Sequence, residues 1–319
     1  MGIKDIDVIC IGFAAQDIVL LGIPEDALQR DSVTARKTVI ASGGDANNQA
    51  VVLGRLGSRT ALMVKLGMDA MSDSIYRELE GEPVDLSLIQ RSAEVQNLLA
   101  VCVCRDNGQR SFLLERGRNY HWSQEEISDD VLDRARAISL GSLFHLGKLD
   151  TGGAEILFKR AKERGLITFA DMTADIEQIG PEAVRGVYPY TDFLMPSLAE
   201  AIYITGENEP ERIADYFLTS GVQNIVIKLG EKGCYFKNQK EEFYMDAFPV
   251  SAVDTTGCGD NFAAGLIHQI LKGESMKAAA QFACAVGAVN ALQAGAHHAV
   301  TDETQIKGFI QEAEGRKFV

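Results

Sequence analysis

The sequence predicts an α/β protein: a mostly parallel sheet covered by helices on both faces, with a small, semi-exposed β layer at one edge. Three observations predict it. From Ala137 onward, short apolar runs (Ile138-Ser139-Leu140, Leu166 to Ala170, Phe193-Leu194-Met195, Ile225-Val226-Ile227) alternate with helical stretches. Such alternation builds parallel sheets, because each crossover must pass over a face. Two segments, 33–40 and 95–114, instead alternate apolar and polar residues, as strands with one wet face do. No long linker, low-complexity tract or internal repeat divides the 319 residues. One domain over 1–319 is therefore expected, with β excursions at about 13–40 and 95–118 that would form a lid at the ligand-binding edge of the sheet.

Taken in order, Val8-Ile9-Cys10-Ile11 is an apolar run stopped by Gly12, the mark of a buried parallel strand. The 33–40 segment carries Arg36 and Lys37 and is read as half exposed. Gly43-Gly44 breaks the chain, and Asp45-Ala46-Asn47 is placed to cap a helix bearing Ala50, Val51, Leu53 and Leu56 as far as Gly57. A strand over 60–66 follows. Asp106-Asn107-Gly108 is a hairpin turn joining the runs 99–104 and 110–114. Ser123-Gln124-Glu125-Glu126 is a capping box opening the next helix. The C-terminal third supplies two helices, over 258–271 and 276–292.

A hydrophobic content of 46% and a charged content of 24% fit a globular enzyme. The formal charge of -14 excludes a dense cationic face of the kind that binds nucleic acid or anionic membranes. The six cysteines include no Cys-x-x-Cys pair and read as reduced core thiols. No charged-then-apolar leader and no apolar run of spanning length is found, and Asp7 argues against myristoylation at Met1-Gly2. A cytoplasmic location is expected.

The segment Asp254-Thr255-Thr256-Gly257-Cys258-Gly259-Asp260, running into an apolar helical stretch, carries the most chemistry. Its glycines let the backbone turn and expose amides, and the helix start adds unpaired N–H groups and a positive dipole end, which together attract phosphate oxygens. Asp260 at the edge of the same turn could take a proton from a substrate hydroxyl. Other frames fail. Gly141 to Lys148 is one residue too long for a phosphate loop and lacks the following hydroxyl, and Phe262 stands where a dinucleotide fingerprint needs Gly. His121 has no His-Glu-x-x-His frame, and no Gly-x-Ser-x-Gly elbow occurs. His297-His298 reads as a polar loop, because adjacent side chains on an extended segment diverge and no third ligand is evident. Gly43 and Gly44 would let a ligand approach the backbone, while Asn48 and Asp17 offer hydrogen bonds to a polyol.

These motifs resemble the ribokinase, or PfkB-type, carbohydrate kinase family. Asp254 to Asp260 is similar to its carboxy-terminal signature, and Gly43, Gly44, Asn48, Leu56 and Gly57, continuing to Lys65-Leu66-Gly67-Met68-Asp69, to its amino-terminal one. Gly117-Arg118-Asn119 and Leu229-Gly230-Glu231-Lys232-Gly233 look like two further segments between them. The resemblance implies a ribokinase-like three-layer α/β/α fold with a small β lid, and an ATP-dependent, Mg2+-requiring sugar kinase. In that reading Asp260 is the base and the amides of Gly257, Cys258 and Gly259 form an anion hole. Asp17, Gly43, Gly44, Asn48 and Asn119 hold the sugar. Lys228, Gly230 and Gly233 line the ATP side, with Cys284 and Val289 flanking adenine. Glu200 acts indirectly on Mg2+, and Asp254 with the Thr256 carbonyl are candidate K+ ligands.

Two departures bear on substrate identity: Ser197 replaces the family's Asn three residues before Glu200, and Ala15 replaces an Asn two residues before Asp17. Within the class, a nucleoside kinase, a 2-keto-3-deoxy sugar acid kinase or a kinase of a phosphorylated sugar are alternatives. The last two need cations such as Arg36, Lys37, Arg110, Arg116 or Arg118, and a nucleoside site would use aromatics such as Phe13, Phe112 or Tyr120. A catalytically idle sugar-binding regulator is the alternative from a different class, and retention of Asp260 argues against it. Exposed lid strands imply a homodimer.

Overall fold

The computed structural model describes residues 4–105 and 109–316. The chain runs β1 (Ile6–Ile11), β2 (Ala15–Ile23), β3 (Lys37–Gly43), α1 (Asp45–Arg55), β4 (Thr60–Met63), β5 (Lys65–Leu66), α2 (Ala70–Leu79), β6 (Val84–Asp85), β7 (Gln90–Arg91), β8 (Leu98–Arg105), β9 (Arg110–Glu115), α3 (Asp129–Asp133) and β10 (Ala135–Leu143). It continues α4 (Ala154–Glu163), β11 (Ile167–Met172), β12 (Phe193–Leu194), α5 (Leu198–Thr205), α6 (Pro210–Thr219), β13 (Asn224–Lys228), β14 (Cys234–Asn238), β15 (Glu242–Met245), α7 (Cys258–Lys272), α8 (Met276–Asn290) and α9 (Glu303–Arg316).

Nine strands form the central sheet in the order β15-β14-β13-β12-β11-β10-β1-β4-β6, parallel from β13 to β6 and antiparallel at β14 and β15. Strand periodicity divides the core into two layers. Val8 and Cys10 of β1 face a cluster containing Leu53, Leu79, Phe262, Val286 and Ile306, contributed by α1, α2, α7, α8 and α9. Ile9 and Ile11 face the opposite cluster, with Leu132, Leu157, Ala201 and Phe217 from α3 to α6. Both faces of the sheet are therefore dry, which is why its strands read as unbroken apolar runs.

The lid is a separate four-stranded sheet, β3-β2-β8-β9, in which β2 and β8 run parallel and the outer pairs antiparallel. The hairpin expected between 99–104 and 110–114 pairs from Leu99↔Glu115 to Cys104↔Arg110; its turn, Asp106-Asn107-Gly108, and the Arg110 side chain lie outside the described residues. Phe13, Ala15, Val95, Leu98, Ala100 and Tyr120 form a small apolar core for the lid.

Several boundaries differ from expectation. The second lid strand is 37–43, because it pairs residue for residue with Ala15 to Leu21 of β2. Residues 60–66 split at Val64 into β4, in the main sheet, and β5, which pairs with β7. Gly44, at φ 95°, occupies the cap of α1, leaving Asp45 inside the first turn without a capping role. The Ser123 capping box forms, but it opens a single 3₁₀ turn over 124–126. Among the described residues, no helix is long and apolar enough to cross a membrane.

Candidate active site

The turn before α7 is built for a backbone that only glycine tolerates. Gly257, the N-cap residue, has φ 71°, and a Cβ there would lie 2.1 Å from the Ala296 carbonyl oxygen. Asn261 clamps the turn to the following loop, its Nδ2 donating to the carbonyls of Gly257 at 2.8 Å and Ala296 at 2.6 Å. Asp254 does the same from the other side: Oδ1 accepts from the Thr256 amide (2.9 Å) and hydroxyl (2.7 Å), and Oδ2 from the Gly295 amide (3.1 Å). The Thr256 carbonyl accepts from Asn290 Nδ2 at 2.8 Å. The Cys258 amide reaches the Thr255 carbonyl only at 3.3 Å. Gly259 and Asp260 lie in the first turn of α7, where amides have no intrahelical carbonyl partner, so the turn aims donors toward an anion.

Beside this turn, carboxyl groups from the ends of several elements converge on one ammonium. Asp260 is buried, and its Oδ2 accepts from Asn48 Nδ2 of α1 at 2.7 Å. Burial and the neighbouring carboxylates of Asp45 and Asp171 push the Asp260 carboxyl well above the usual range, against the pull of Asn48 and Lys228. Lys228, at the end of β13, donates from Nζ to Asp171 Oδ1 at 2.6 Å and lies 3.3 Å from where a Cβ on Gly259 would stand. Asp171, at the end of β11, is raised to about 7 by burial, partly offset by that ammonium. Asp45, bonded to the Ser142 hydroxyl, is raised by burial to about 6. Asp17 on β2 is raised to about 7 by burial and by Asp45, Asp254 and Glu78. Its carboxylate lies over Gly43, where a Cβ would be 2.1 Å from Oδ2. Gly43 thus makes room for the Asp17 carboxylate. Gly44 is required because a Cβ there would meet the Phe13 carbonyl at 2.7 Å.

A glycine turn opening a helix, a buried carboxyl with raised proton affinity, and a polar rim at the carboxyl ends of parallel strands fit group transfer to a hydroxyl. The family model for "pfkB family carbohydrate kinase" matches residues 5–303. The chain belongs to that family. It is 31% identical to the 2-dehydro-3-deoxygluconokinase of Bacillus subtilis over 84% of this chain and 86% of that one. It is also 24% identical to the ribokinase of Haemophilus influenzae over 92% and 95%. The Arabidopsis thaliana ribokinase complexed with ribose and ATP superposes with a TM-score of 0.78 at 22% identity, over 96% and 98% of the two chains. An E. coli structure described as ribokinase II, with ATP and Mg2+ bound, does so with a TM-score of 0.83 at 23% identity, over 96% and 99%. The protein is a carbohydrate kinase of ribokinase fold.

Within this PfkB kinase, the structure brings Asp260, Asn48, the Gly257–Gly259 turn and Lys228 together, with Asp17 and Gly43 on the lid side. The other expected site residues are more scattered. Gly230 and Gly233, both at positive φ, bracket a 3₁₀ turn after β13. Cys284 and Val289 are buried on α8, and Cys284 hydrogen-bonds Cys234 of β14. Glu200 closes a capping box at the start of α5, where its Oε2 accepts from the Ser197 amide at 2.7 Å. Ser197, standing where the family has Asn, thus acts as a helix cap. Asn119 donates to the Glu94 carbonyl at 3.0 Å and lines a cavity of about 850 Å³ with Lys65, Trp122 and Lys148. Asp17, Asn48 and Asp260 are not among that cavity's lining residues. Of the lid cations, Arg116 pairs with Glu177 at 2.9 Å and Arg36 packs over Gly22. Phe13 and Tyr120 pack edge to face at 5.9 Å inside the lid core.

Reading the sequence missed Asp45, Asp171 and Glu78. Asp171 carried one usable signal, an acid closing an apolar parallel-strand run. The polar-loop reading of His297-His298 is corrected. His297 is fully buried, its Nδ1 lies 2.9 Å from Asn48 Oδ1, and Glu78 of α2 stands beside both rings. The two rings do not diverge, because Arg55 Nη1 donates to the carbonyls of His297 (2.6 Å) and Val300 (2.9 Å) and folds the loop back.

Proposed function

We propose that this kinase transfers the γ-phosphoryl group of ATP, in line, to a primary hydroxyl of a small neutral carbohydrate such as ribose or fructose. The observation that carries the reading is the Asp260–Asn48 pair placed against the amide turn at Gly257–Gly259. When bound, ATP supplies the phosphoryl group, and Mg2+ neutralises its phosphate oxygens. The chain supplies the rest. Asp260, in its ionised form a stronger base for the burial that raises its proton affinity, accepts the proton of the attacking hydroxyl, and Asn48 fixes the carboxyl rotamer. The amides of Gly257, Cys258 and Gly259 stabilise charge on the transferring group. Asp17, with Asn48 and Asn119, holds the sugar hydroxyls, Asn119 joining the others by lid closure, which also excludes water. Lys228, Gly230 and Gly233 face the ATP phosphates and ribose, and the α8 segment around Cys284 and Val289 flanks the base. Glu200 acts on Mg2+ through solvent. Asp254 and the Thr256 carbonyl, already gathered at the foot of the turn, are our choice for a K+ site. We also place the protein in the cytoplasm, a reading that the absence of a Cys-x-x-Cys pair among its six cysteines supports.

A neutral acceptor is preferred because Asp45, Asp171, Glu200 and Asp260 gather around the Lys228 ammonium, with Asp17 beside Asp45, an acidic field that repels a second anion. The second reading, a 2-keto-3-deoxy sugar acid, is favoured by the 31% identity to the B. subtilis enzyme. ATP turnover over ribose, fructose, 2-dehydro-3-deoxygluconate and adenosine tests both. We expect kcat/KM for a neutral sugar to exceed the others by about 10²-fold, a binding difference of the size one unpaired buried charge imposes. Preference for the sugar acid would replace the first reading with the second, and turnover of no sugar would remove both.

The lid supports dimerisation. Phe112, Leu113 and Leu114 are consecutive, exposed apolar residues on edge strand β9, and Ile40 is exposed on edge strand β3. Light scattering is expected to give twice the chain mass, and Leu113→Lys to give a monomer; a monomeric native protein would exclude pairing through the lid.

A further inference from the structure

Among the described residues, one group of metal-ligand side chains comes together: Glu78 near the end of α2, with His297 and His298 from the segment between α8 and α9. We propose that these three side chains bind a late first-row divalent cation, zinc above all. Two imidazoles and one carboxylate are a donor set zinc favours.

The distances fit. His297 Nε2 lies 3.3 Å and His298 Nε2 3.7 Å from the same atom, Glu78 Oε1, and all three ligand atoms fall within 4.8 Å of one another. Ligand atoms about 2.0–2.1 Å from a tetrahedral zinc stand about 3.3–3.5 Å apart. Closing the group onto an ion therefore takes small side-chain rotations and leaves a fourth position for solvent.

The hydrogen-bond pattern favours a positive charge at that point. Asn48 donates from Nδ2 to Asp260, so its Oδ1 is an acceptor, and His297 Nδ1, 2.9 Å away, must carry the proton. The His298 ring likewise donates to the Ala294 carbonyl. With their protons held outward, the two Nε2 lone pairs point at a carboxylate oxygen. A proton on His298 answers one of those contacts and leaves the His297 lone pair facing Glu78. A cation answers all three at once. Outward donation to carbonyls is the usual support for metal-binding histidines, and the second Glu78 oxygen is held by the Ser42 amide at 2.7 Å.

The surroundings keep Glu78 and His297 in the required state, while Glu78 favours a proton on His298 that an ion must displace. Burial raises the Glu78 carboxyl, but His297, His298 and the Ser42 amide together bring it well below the usual range, and burial holds His297 neutral. Arg55, the adjacent cation, is matched by a two-point pair with Glu82 (2.8 Å and 2.5 Å). Glu78 and His298 are each about a quarter exposed, at 28% and 27%, which gives an ion a way in. If Asp260 is the base, occupancy has a further effect: it locks the His297 tautomer that holds the Asn48 amide toward Asp260.

The full-length protein, stripped with a chelator and dialysed against Zn2+, is assayed by elemental analysis, by competition with a chromogenic chelator, and by Co2+ absorption. We expect one Zn2+ per chain and tetrahedral Co2+ bands. Affinity should fall by about 100-fold or more in both Glu78→Gln and His298→Ala, with the variants' folding confirmed by circular dichroism. Less than a tenth of an equivalent bound by the native protein, or equal retention by the two variants, would overturn the site. None of these readouts depends on turnover, so failure of the site and failure of the kinase reading are distinguishable.

Discussion

Replacing Asp260 by Asn is expected to lower kcat by about 10²–10⁴-fold, the contribution of a positioned general base, while raising the melting temperature. Both effects come from one property. Burial and the carboxylates of Asp45 and Asp171 raise the Asp260 carboxyl well above its ordinary value, so the folded protein holds a proton there that the unfolded chain releases near pH 4. Proton retention by the folded state means that stability falls as pH rises from about 4 toward the folded pKa. The amide cannot ionise and can turn its oxygen to Asn48 Nδ2, so the variant keeps the 2.7 Å contact without the charge.

The melting-temperature gap between variant and native protein should therefore be small near pH 4.5 and widen as pH rises through the range in which the buried carboxyl is strained. Coupled-assay kinetics and thermal melts over pH 4.5–8.5 measure the two halves. A variant with native turnover would remove Asp260 from the chemistry, and a gap that does not change with pH would remove the electrostatic strain. An activity loss joined to a stability gain distinguishes a reactive carboxyl from a structural one, whose loss would lower both.

Much of this was legible in the chain because it is local. The apolar runs around Ile138, Phe169 and Ile225 became β10, β11 and β13, since strands dry on both faces have no reason to alternate. Gly257 and Asp260 were readable because the turn and the helix that follow occupy consecutive residues. Strand 33–40 was misplaced because its apolar residues face a lid that is itself half exposed, which weakens the pattern. Contacts made only by folding left no trace. Asn48 and Asp260 are 212 residues apart, and His297 meets Glu78 across 219. Gly43 shows the limit most clearly: a glycine pair before a helix was visible, but not that the missing Cβ houses Asp17.

Lys228→Met is expected to destabilise the protein by about 3–5 kcal/mol at neutral to alkaline pH, as when one partner of a buried pair is removed, and to lower kcat by about 10²-fold. Lys228 and Asp171 are 2.6 Å apart with side-chain exposures of 13% and 1%, so solvent screens the pair little. Burial alone would lower the Lys228 pKa, but Asp171, Glu200 and Asp260 more than reverse this and raise it. Without the ammonium, Asp171, already raised to about 7, moves higher still and stays protonated through neutrality. The folded variant then carries a proton that the unfolded chain loses above about pH 4, so its stability falls with rising pH, by at most about 1.4 kcal/mol per unit for one proton. Native Asp171 also holds its proton up to about pH 7, so the stability deficit should be smallest and nearly level from pH 5.5 to 7 and grow from there toward pH 8.5, as read from denaturant midpoints at each pH. A deficit equal at both ends would mean that Lys228 contributes packing rather than charge. Because Nζ also lies beneath Gly259, the loss in kcat should persist at pH 5.5, where the stability deficit is smallest. That separation distinguishes its field at the transferring phosphoryl group from its part in holding the fold.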